Sequence, residues 1–218
     1  MQRLPIKCKP LDDILGGGLE KGSITKIFGE AGSGKTNFCL QATSEVIKTG
    51  KKVAFIDTEG VSTTRLKQIL NPDHVNKKIL DKILFYNPLS LESQEKIVNE
   101  IIENNKVDLI VIDTINLFYR IAHEDDKETP KRSFLRQMAN LQIAARKNNI
   151  IVLVAEQVYT DKNGEIKPFT HRDTEHMVKT ILKLDKKSIG KRQATIIKHR
   201  SQPEGKTAIF NITSKGLE

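Results

Sequence analysis

One glycine-rich octapeptide constrains the fold of this chain more than any other feature of its sequence. It runs from Gly29 to Thr36, reads GEAGSGKT, and fits the pattern G-x-x-x-x-G-K-[ST]. An apolar run, Ile24–Phe28, precedes it, and an amphipathic stretch, Thr36–Lys48, follows it. This strand–loop–helix order lets backbone N–H groups and a helix N-terminus surround a phosphate group. The sequence therefore predicts a phosphate loop that binds a nucleotide.

The residue types in this phosphate loop predict how each part would act. Its glycines tolerate positive φ angles and leave room for N–H groups to close around a β-phosphate. Lys35 is expected to bridge the β- and γ-phosphates, and the hydroxyl of Thr36 is expected to ligate Mg²⁺. The candidate nucleotide-binding residues are Gly29, Glu30, Ala31, Gly32, Ser33, Gly34, Lys35 and Thr36.

Apolar runs and amphipathic stretches alternate along the first two thirds of the chain. The runs are continuous, as in strands buried on both faces: Ile24–Phe28, Val53–Ile56, Ile83–Tyr86, Leu109–Ile112 and Ile150–Ala155. The stretches with helical periodicity are Thr36–Lys48, Thr63–Leu70, Leu91–Asn104 and Ser133–Lys147. This rhythm predicts an α/β fold with a mainly parallel, twisted sheet flanked by helices.

The pattern changes after Pro168. Shorter strand patterns separated by turns predict a C-terminal antiparallel extension of the same sheet, at Met177–Leu184, Ala194–Lys198 and Thr207–Ile212. We therefore expect residues 1–218 to form a single domain. Two polar segments, 123–132 (HEDDKETPKR) and 160–173, are expected to be mobile loops of functional importance.

Polar residues follow the predicted strands at the edge where parallel sheets bind ligands. Asp113 ends the run Leu109–Ile112 in a Walker B pattern, and it is the second candidate metal-binding residue beside Thr36. Glu59 is the candidate base for an attacking water; alternatively, it caps the following helix. Gln157 is a candidate to contact the γ-phosphate; alternatively, it is a surface amide. The candidate catalytic residues are Lys35, Glu59 and Gln157.

Charge is concentrated near the end of the chain. Lysine and arginine exceed aspartate and glutamate by 36 − 27 = 9. Between Lys183 and Lys206, eight residues are basic and two are acidic. Such a cluster favours a polyanionic partner, nucleic acid or nucleotide; the alternative is a solvated, lysine-rich surface. Aromatic residues make up only 5 %, without tryptophan, so base stacking is not expected to dominate binding to single strands.

Four segments resemble the ATPase core of the RecA/RadA recombinases. They are Leu11–Leu19, the phosphate loop, Phe55–Gly60 (FIDTEG) and Glu156–Tyr159, in which Glu156 stands where that family usually has asparagine. The segments Thr174–His176 and Lys198–Gly205 are most similar to the archaeal RadB group of short RadA paralogues. The similarity spans almost the whole chain. It implies a RecA-type P-loop ATPase core that takes ATP and Mg²⁺.

The resemblance implies further roles. Arg65 matches an arginine that stacks on adenine; the alternative is a solvated helix charge. Lys198 and Arg200 look like a Lys-x-Arg element that reaches a neighbouring subunit's γ-phosphate, and Pro203 like a proline that covers adenine from that neighbour. The alternative for the Lys-x-Arg pair is protection of an edge strand. The two polar segments match DNA-binding loops, and the candidate DNA contacts are Arg120, Lys131, Arg132, Arg172, Lys186, Lys187, Lys191 and Arg192.

These expectations lead to one main functional hypothesis and two alternatives. The main hypothesis is an accessory protein of recombination and DNA repair that binds ATP and DNA, assists or regulates a RadA-type recombinase, and hydrolyses ATP weakly. The alternatives are a KaiC-like signalling ATPase and an adaptor that uses ATP as a clamp without significant hydrolysis. The segment Asp57–Gly60 favours the recombinase side, because KaiC-like proteins typically have two adjacent glutamates there.

The sequence also suggests where the chain would act. It begins almost at the ATPase core, so we expect no helical N-terminal DNA-binding domain and no linker with a Phe-x-x-Ala motif. Self-association stays open. The longest apolar run, Ile150–Ala155, is too short to cross a membrane. We expect a cytoplasmic, nucleoid-associated protein without a membrane partner.

Overall fold

Within the part of the chain that the structure describes, the fold is organised around a nine-stranded sheet with helices on both faces. The computed structural model describes residues 2–70, 77–104, 106–162, 166–169 and 174–218. The strands are β1 (Arg3–Leu4), β2 (Leu19–Glu20), β3 (Ser23–Phe28), β4 (Val53–Asp57), β5 (Ile83–Tyr86), β6 (Leu109–Asp113), β7 (Ile151–Glu156), β8 (Val158–Thr160), β9 (Ile166–Pro168), β10 (Thr180–Lys186), β11 (Lys191–Lys198), β12 (Thr207–Thr213) and β13 (Gly216–Leu217). The helices are α1 (Lys9–Ile14), α2 (Lys35–Lys48), α3 (Thr63–Leu70), α4 (Lys77–Leu80), α5 (Leu91–Asn104), α6 (Leu117–Asp125) and α7 (Glu128–Asn148).

The order of strands places the phosphate-loop strand in the interior of the sheet. The order is β13-β12-β11-β10-β3-β7-β6-β4-β5. Strands β10, β3, β7, β6, β4 and β5 pair in parallel, and β11, β12 and β13 continue the sheet in antiparallel pairs. The predicted α/β class and the antiparallel extension are confirmed. One detail was wrong: the strand predicted at Met177–Leu184 starts at Thr180 and pairs in parallel with β3.

Alternate residues of the central strands face two separate apolar cores, which explains why these strands read as continuous apolar runs. In β6, Leu109 and Val111 face the core that includes helix α2. Ile110 and Ile112 face the core formed with α5, α6 and α7. Because the central strands are parallel, all their carboxyl ends lie at the same edge of the sheet, and polar residues can gather there.

The prediction of a mobile loop at 123–132 was wrong, because most of this segment belongs to helices α6 and α7. Only residues 126 and 127 separate α6 from α7, and α7 starts five residues before the predicted Ser133. The carboxylate of Asp126 accepts hydrogen bonds from the backbone N–H groups of Glu128 and Thr129, which caps the new helix start. Pro130 is buried within the first turn. The polar composition concealed this start, since the apolar face of α7 begins only at Phe134.

The second expected loop, 160–173, begins as a hairpin. Strands β8 and β9 pair in antiparallel fashion, and the rings of Tyr159 and Phe169 lie 4.9 Å apart. Residues 163–165 and 170–173 lie outside the described residues, and so does the candidate DNA contact Arg172. Among the described helices, none is long and apolar enough to cross a membrane.

Helix α2 also holds the two ends of the described chain. The side-chain amide of Gln41 donates to the carbonyl of Ile6 at 3.1 Å, and its oxygen accepts from the N–H of Leu217 at 3.4 Å. Because α2 starts at the phosphate loop, this loop, the first strand region and the last strand are joined through one helix.

Candidate functional site

The phosphate loop connects β3 to α2, as the octapeptide pattern predicts. Gly32 and Gly34 have φ angles of 72° and 104°, which explains the glycines at these two positions. The ammonium of Lys35 donates to the carbonyls of Gly29 at 2.8 Å and Glu30 at 3.1 Å. Lys35 is thus held inside the loop, at the position from which it would meet phosphate oxygens.

A buried carboxylate lies beside the start of α2. Asp113 ends β6, is only 1 % exposed, and neither of its oxygens makes a hydrogen bond of good geometry to a described residue. Burial raises the pKa of Asp113 to about 6, while the nearby hydroxyl of Thr36 lowers it and Glu59 raises it. Two buried, unsatisfied carboxylate oxygens next to a threonine hydroxyl suit a hard cation such as Mg²⁺. Thr36 and Asp113 therefore fit the expected metal-binding pair.

Three strand ends meet at Glu59. Its Oε1 accepts a hydrogen bond from the hydroxyl of Thr114, after β6, at 2.9 Å. The same oxygen accepts from Nε2 of Gln157, after β7, at 2.5 Å. A further bond joins the ends of β4 and β6, because the N–H of Thr114 donates to the hydroxyl of Thr58 at 2.8 Å. Glu59 and Gln157 are thus in direct contact, and Gln157 is not an isolated surface amide.

The turn after β4 directs Glu59 toward this contact. Asp57 accepts hydrogen bonds from the backbone N–H groups of Glu59, Gly60 and Val61. Ser62 caps the N-terminus of α3, because its hydroxyl accepts a hydrogen bond from the N–H of Arg65 at 3.2 Å. Glu59 does not have this capping role, and its carboxylate faces the strand ends.

Two buried amide side chains near the site, Asn116 and Gln94, were not predicted from the sequence. Asn116 is fully buried; its amide donates to the carbonyl of Gln157 at 3.0 Å and its oxygen accepts from the N–H of Gln157 at 2.9 Å. Gln94 of α5 donates to the carbonyl of Ile115 at 3.0 Å and to Gln137 of α7 at 2.9 Å. The bonds of Asn116 hold the backbone of Gln157, and those of Gln94 hold the backbone of Ile115, the residue before Asn116. The only sequence signal was a polar Asn close behind Asp113.

A cleft of about 350 Å³ opens at these groups. Its lining includes Lys35, Glu59, Gln157 and Arg120 of α6. The guanidinium carbon of Arg120 lies 5.4 Å above the ring of Phe169, so this expected DNA contact also borders the cleft. A larger cleft of about 640 Å³ lies between α5 and α7, away from the phosphate loop.

Two further candidate DNA contacts, Lys131 and Arg132, lie in the first turns of α7.

The charged groups around the cleft affect the pKa of Lys35. Burial lowers the pKa of Lys35, while Glu59 and Asp113 raise it and Lys186 lowers it further. The cations and carboxylates of the site are therefore close enough to influence each other. A polyphosphate with a divalent cation would meet a matching arrangement of positive and negative groups.

Arg65 makes contacts at the other side of α2. Its Nε donates to Oδ1 of Asn37 at 2.7 Å, and its Nη2 donates to the carbonyl of Thr213 at 2.8 Å. Arg65 thus joins α3 to α2 and to the end of β12. Its guanidinium lies near the phosphate-loop helix, with hydrogen bonds that fix its plane.

Lys198 and Arg200 of the Lys-x-Arg element are not among the described residues that line this cleft. Strand β11 runs antiparallel to β10, so it leads away from the phosphate loop, and at its end Lys198 is level with Ile181 of β10 and Lys26 of β3. The ammonium of Lys198 donates to the carbonyl of Glu175 at 2.5 Å, and Arg200 forms an ion pair with Glu20. Pro203 lies in the turn between β11 and β12. Lys198 and Arg200 are thus bonded to Glu175 and Glu20, which precede β10 and β3 in the chain.

The remaining basic candidates lie on the hairpin of β10 and β11, termed here the basic hairpin (186–192). Nε of Arg192 donates to the carbonyl of Gly32 in the phosphate loop at 2.9 Å. Lys186 is paired with Arg192 across the two strands. Lys187 and Lys191 are exposed at the turn. The basic hairpin therefore borders the phosphate loop directly.

Comparisons with known proteins agree with this architecture. The family model described as Rad51 matches residues 2–218. A DNA repair and recombination protein RadB from Methanococcoides burtonii is 44 % identical over 221 residues, which cover 99 % of this chain and 97 % of the relative. A RadB protein from Thermoplasma acidophilum is 37 % identical, with 95 % and 90 % covered. A solved structure described as the RadB recombinase has a TM-score of 0.86 and 35 % identity, covering 99 % of this chain and 98 % of that one.

Proposed function

Because this chain belongs to the Rad51 family, we propose that it is a DNA repair and recombination protein of the RadB type that binds ATP, Mg²⁺ and DNA. The family has an ATP-binding, Mg²⁺-dependent fold, and the relatives named RadB match almost the full length of the chain. Neither the KaiC-like signalling reading nor the adaptor reading is supported by these matches.

The observation that carries the proposal is the meeting of Lys35, Asp113, Glu59 and Gln157 at the carboxyl edge of the sheet. Bound ATP with Mg²⁺ would supply the phosphoanhydride bond and the charge that offsets its oxygens. Lys35 would exchange its two loop carbonyls for phosphate oxygens. Thr36 and Asp113 would hold the metal side of the site, and Arg65 would contact adenine.

Glu59 and Gln157 would manage the attacking water. Oε1 of Glu59 is engaged by Thr114 and Gln157, so Oε2 would accept the proton of a water in line with the γ-phosphate. Gln157 would shift its bond from Glu59 to the γ-phosphate when ATP binds. Since Gln157 directly precedes β8, that shift would reach the β8–β9 hairpin.

DNA would be held mainly through its phosphates. Arg120, Lys131 and Arg132 form a basic approach along α6 and α7, and Lys187 and Lys191 add the tip of the basic hairpin. Arg172 is a further candidate. Phosphate contacts carry little sequence information, so weak sequence preference follows. The affinity should fall as salt rises, by a log–log slope of roughly −0.7 per contact on single strands.

A partner would complete the ATPase. Lys198 and Arg200 are bonded to residues that precede β10 and β3, whereas the phosphate loop follows β3, so together with Pro203 they would act on a neighbouring subunit, another copy or a RadA-type recombinase. Alone, the chain would therefore hydrolyse ATP slowly. We place this activity in one domain spanning residues 1–218, in the cytoplasm and at the nucleoid.

Nucleotide titration and turnover assays test this function. Wild-type protein should bind ATP in a Mg²⁺-dependent manner, and Lys35→Ala should abolish binding without changing the circular dichroism spectrum. The control Lys96→Ala, an exposed lysine paired with Glu92 on α5, should bind normally. Turnover should be slow alone and should increase with single-stranded DNA or a RadA-type recombinase. ATP binding without any turnover under all conditions would instead favour the adaptor.

A further inference from the structure

We propose that Lys186 and Arg192 bind the phosphates of the nucleotide in cis, and that they are not DNA contacts. The inference rests on the nucleotide site proposed above. It divides the basic hairpin into two pairs with different ligands. Lys186 and Arg192 serve the phosphate loop, and Lys187 and Lys191 remain at the tip for DNA.

The sheet itself brings the basic hairpin to the phosphate loop. Strand β10 is parallel to β3 and adjacent to it, with Lys183 beside Phe28, the last residue before the loop. The backbone of β10 then passes very close to Gly29: a Cβ atom there would lie 2.2 Å from the carbonyl oxygen of Leu184. Side chains that follow Leu184 on β10 are therefore next to the loop.

Two cations meet at Gly32. Arg192 donates from Nε to the carbonyl of Gly32 at 2.9 Å, while Nη1 donates to the carbonyls of Ser188 and Lys191 at 3.2 and 3.0 Å. The guanidinium is thus fixed against the loop. On the same glycine, a Cβ atom would lie only 3.2 Å from Nζ of Lys186. The absence of a side chain at Gly32 leaves room for this ammonium.

The arrangement lacks a negative partner. Lys186 and Arg192 are directly opposite each other in the β10–β11 register, and like charges at such positions repel. None of the described carboxylates forms an ion pair with either one, and the nearby Asp185 is paired with Lys183 at 3.1 Å. Lys35 adds a third cation, whose pKa Lys186 helps to lower. A polyphosphate in the loop would neutralise all three groups together.

The other two basic residues differ in their surroundings. The N–H of Lys187 donates to the carbonyl of Lys191 at 3.1 Å, so both belong to the turn that closes the hairpin. Lys191 neighbours Arg192 on β11, and successive side chains of a strand point to opposite faces. The pair Lys187 and Lys191 is therefore a matched control, with the same charge on the same hairpin.

The experiment compares two double variants of the full-length chain, Lys186→Gln/Arg192→Gln and Lys187→Gln/Lys191→Gln. Affinities for ATP, ADP, AMP and adenosine are measured by competition against a fluorescent ATP analogue, and DNA affinity by anisotropy with a labelled single strand. The first variant should lose about tenfold or more in ATP affinity. The loss should shrink from ATP to adenosine, and DNA binding should stay unchanged. The second variant should show the reverse.

Several outcomes would overturn the inference. They are unchanged ATP affinity in Lys186→Gln/Arg192→Gln, an equal loss for adenosine, or a loss of DNA affinity as large as in the control variant. The last of these would return both residues to DNA. If the double variant unfolds, the single variants Lys186→Gln and Arg192→Gln provide the same comparison. Failure of the whole nucleotide site would be recognised separately, because Lys35→Ala would then bind ATP like the wild type.

Discussion

The guanidinium of Arg200 lies 2.8 Å from Oε1 of Glu20, a carboxylate that is only 2 % exposed. These residues are 180 positions apart, and the ion pair joins the end of β11 to β2. A role of Arg200 toward a neighbouring subunit would require this pair to open. Lys198, held by a backbone carbonyl, can be released without leaving a buried charge unpaired.

Replacing Arg200 by alanine should destabilise the fold by about 1–3 kcal/mol, since a buried carboxylate loses its charged partner. Adding Glu20→Gln should recover part of this loss. Urea unfolding of the two single variants and the double variant measures the coupling. Additive effects would contradict the structural role. A drop in partner-stimulated hydrolysis for Lys198→Ala, without a change in stability, would support the trans role.

Glu59→Gln should abolish ATP hydrolysis and retain ATP binding, because the amide can still accept from Thr114 and cannot take a proton from water. Turnover and nucleotide affinity are measured in parallel. Glu92→Gln on the exposed face of α5 is the control, with normal turnover expected. If Glu59→Gln turned over ATP at the wild-type rate, the base would have to lie elsewhere.

Asp113→Asn should stabilise the nucleotide-free chain at neutral pH. Burial raises the pKa of Asp113 from 3.8 to about 6, so the folded chain keeps this proton to higher pH than the unfolded chain. The free energy of unfolding should therefore fall as the pH rises from about 4 to about 6, by about 3 kcal/mol. Asp113→Asn removes this decrease.

Urea unfolding at a series of pH values measures the difference between Asp113→Asn and wild type. The advantage of the variant should be small at pH 4, grow up to pH 6 and stay constant above. Binding of Mg²⁺-ATP should change in the opposite direction, because an amide is a weaker ligand for the metal. A difference in stability that did not vary with pH would show that the pKa of Asp113 is the same in the folded and unfolded chains.

A second ion pair lies in the interior, between Nζ of Lys26 and Oε2 of Glu156, at 3.4 Å with both side chains essentially unexposed. Either Lys26→Met or Glu156→Gln should cost roughly 3–5 kcal/mol, since each removes the opposite charge from a buried ionised group. The double variant should cost less than the larger single effect. Thermal unfolding of the three variants tests this, and equal losses that simply add would argue against the pairing.

The parts of this architecture that follow from local pattern were predictable. The phosphate loop, the central strands, Asp113 and Glu59 all come from short motifs in which spacing along the chain determines position. Asn116, Gln94 and the pair Glu20–Arg200 depend on which strands become neighbours, and no local pattern contains that information. The basic hairpin illustrates the same limit, because composition revealed its charge, and the β10–β3 register determines what that charge faces.

The two hydrogen bonds of Gln41 give the chain ends a common anchor on the helix that leaves the phosphate loop. A movement of α2 should therefore displace both ends of the chain at the same time. Fluorophores attached at Gln2 and Glu218 would each report a change in the phosphate loop from a distance. A purification tag on either end would be coupled to α2 in the same way.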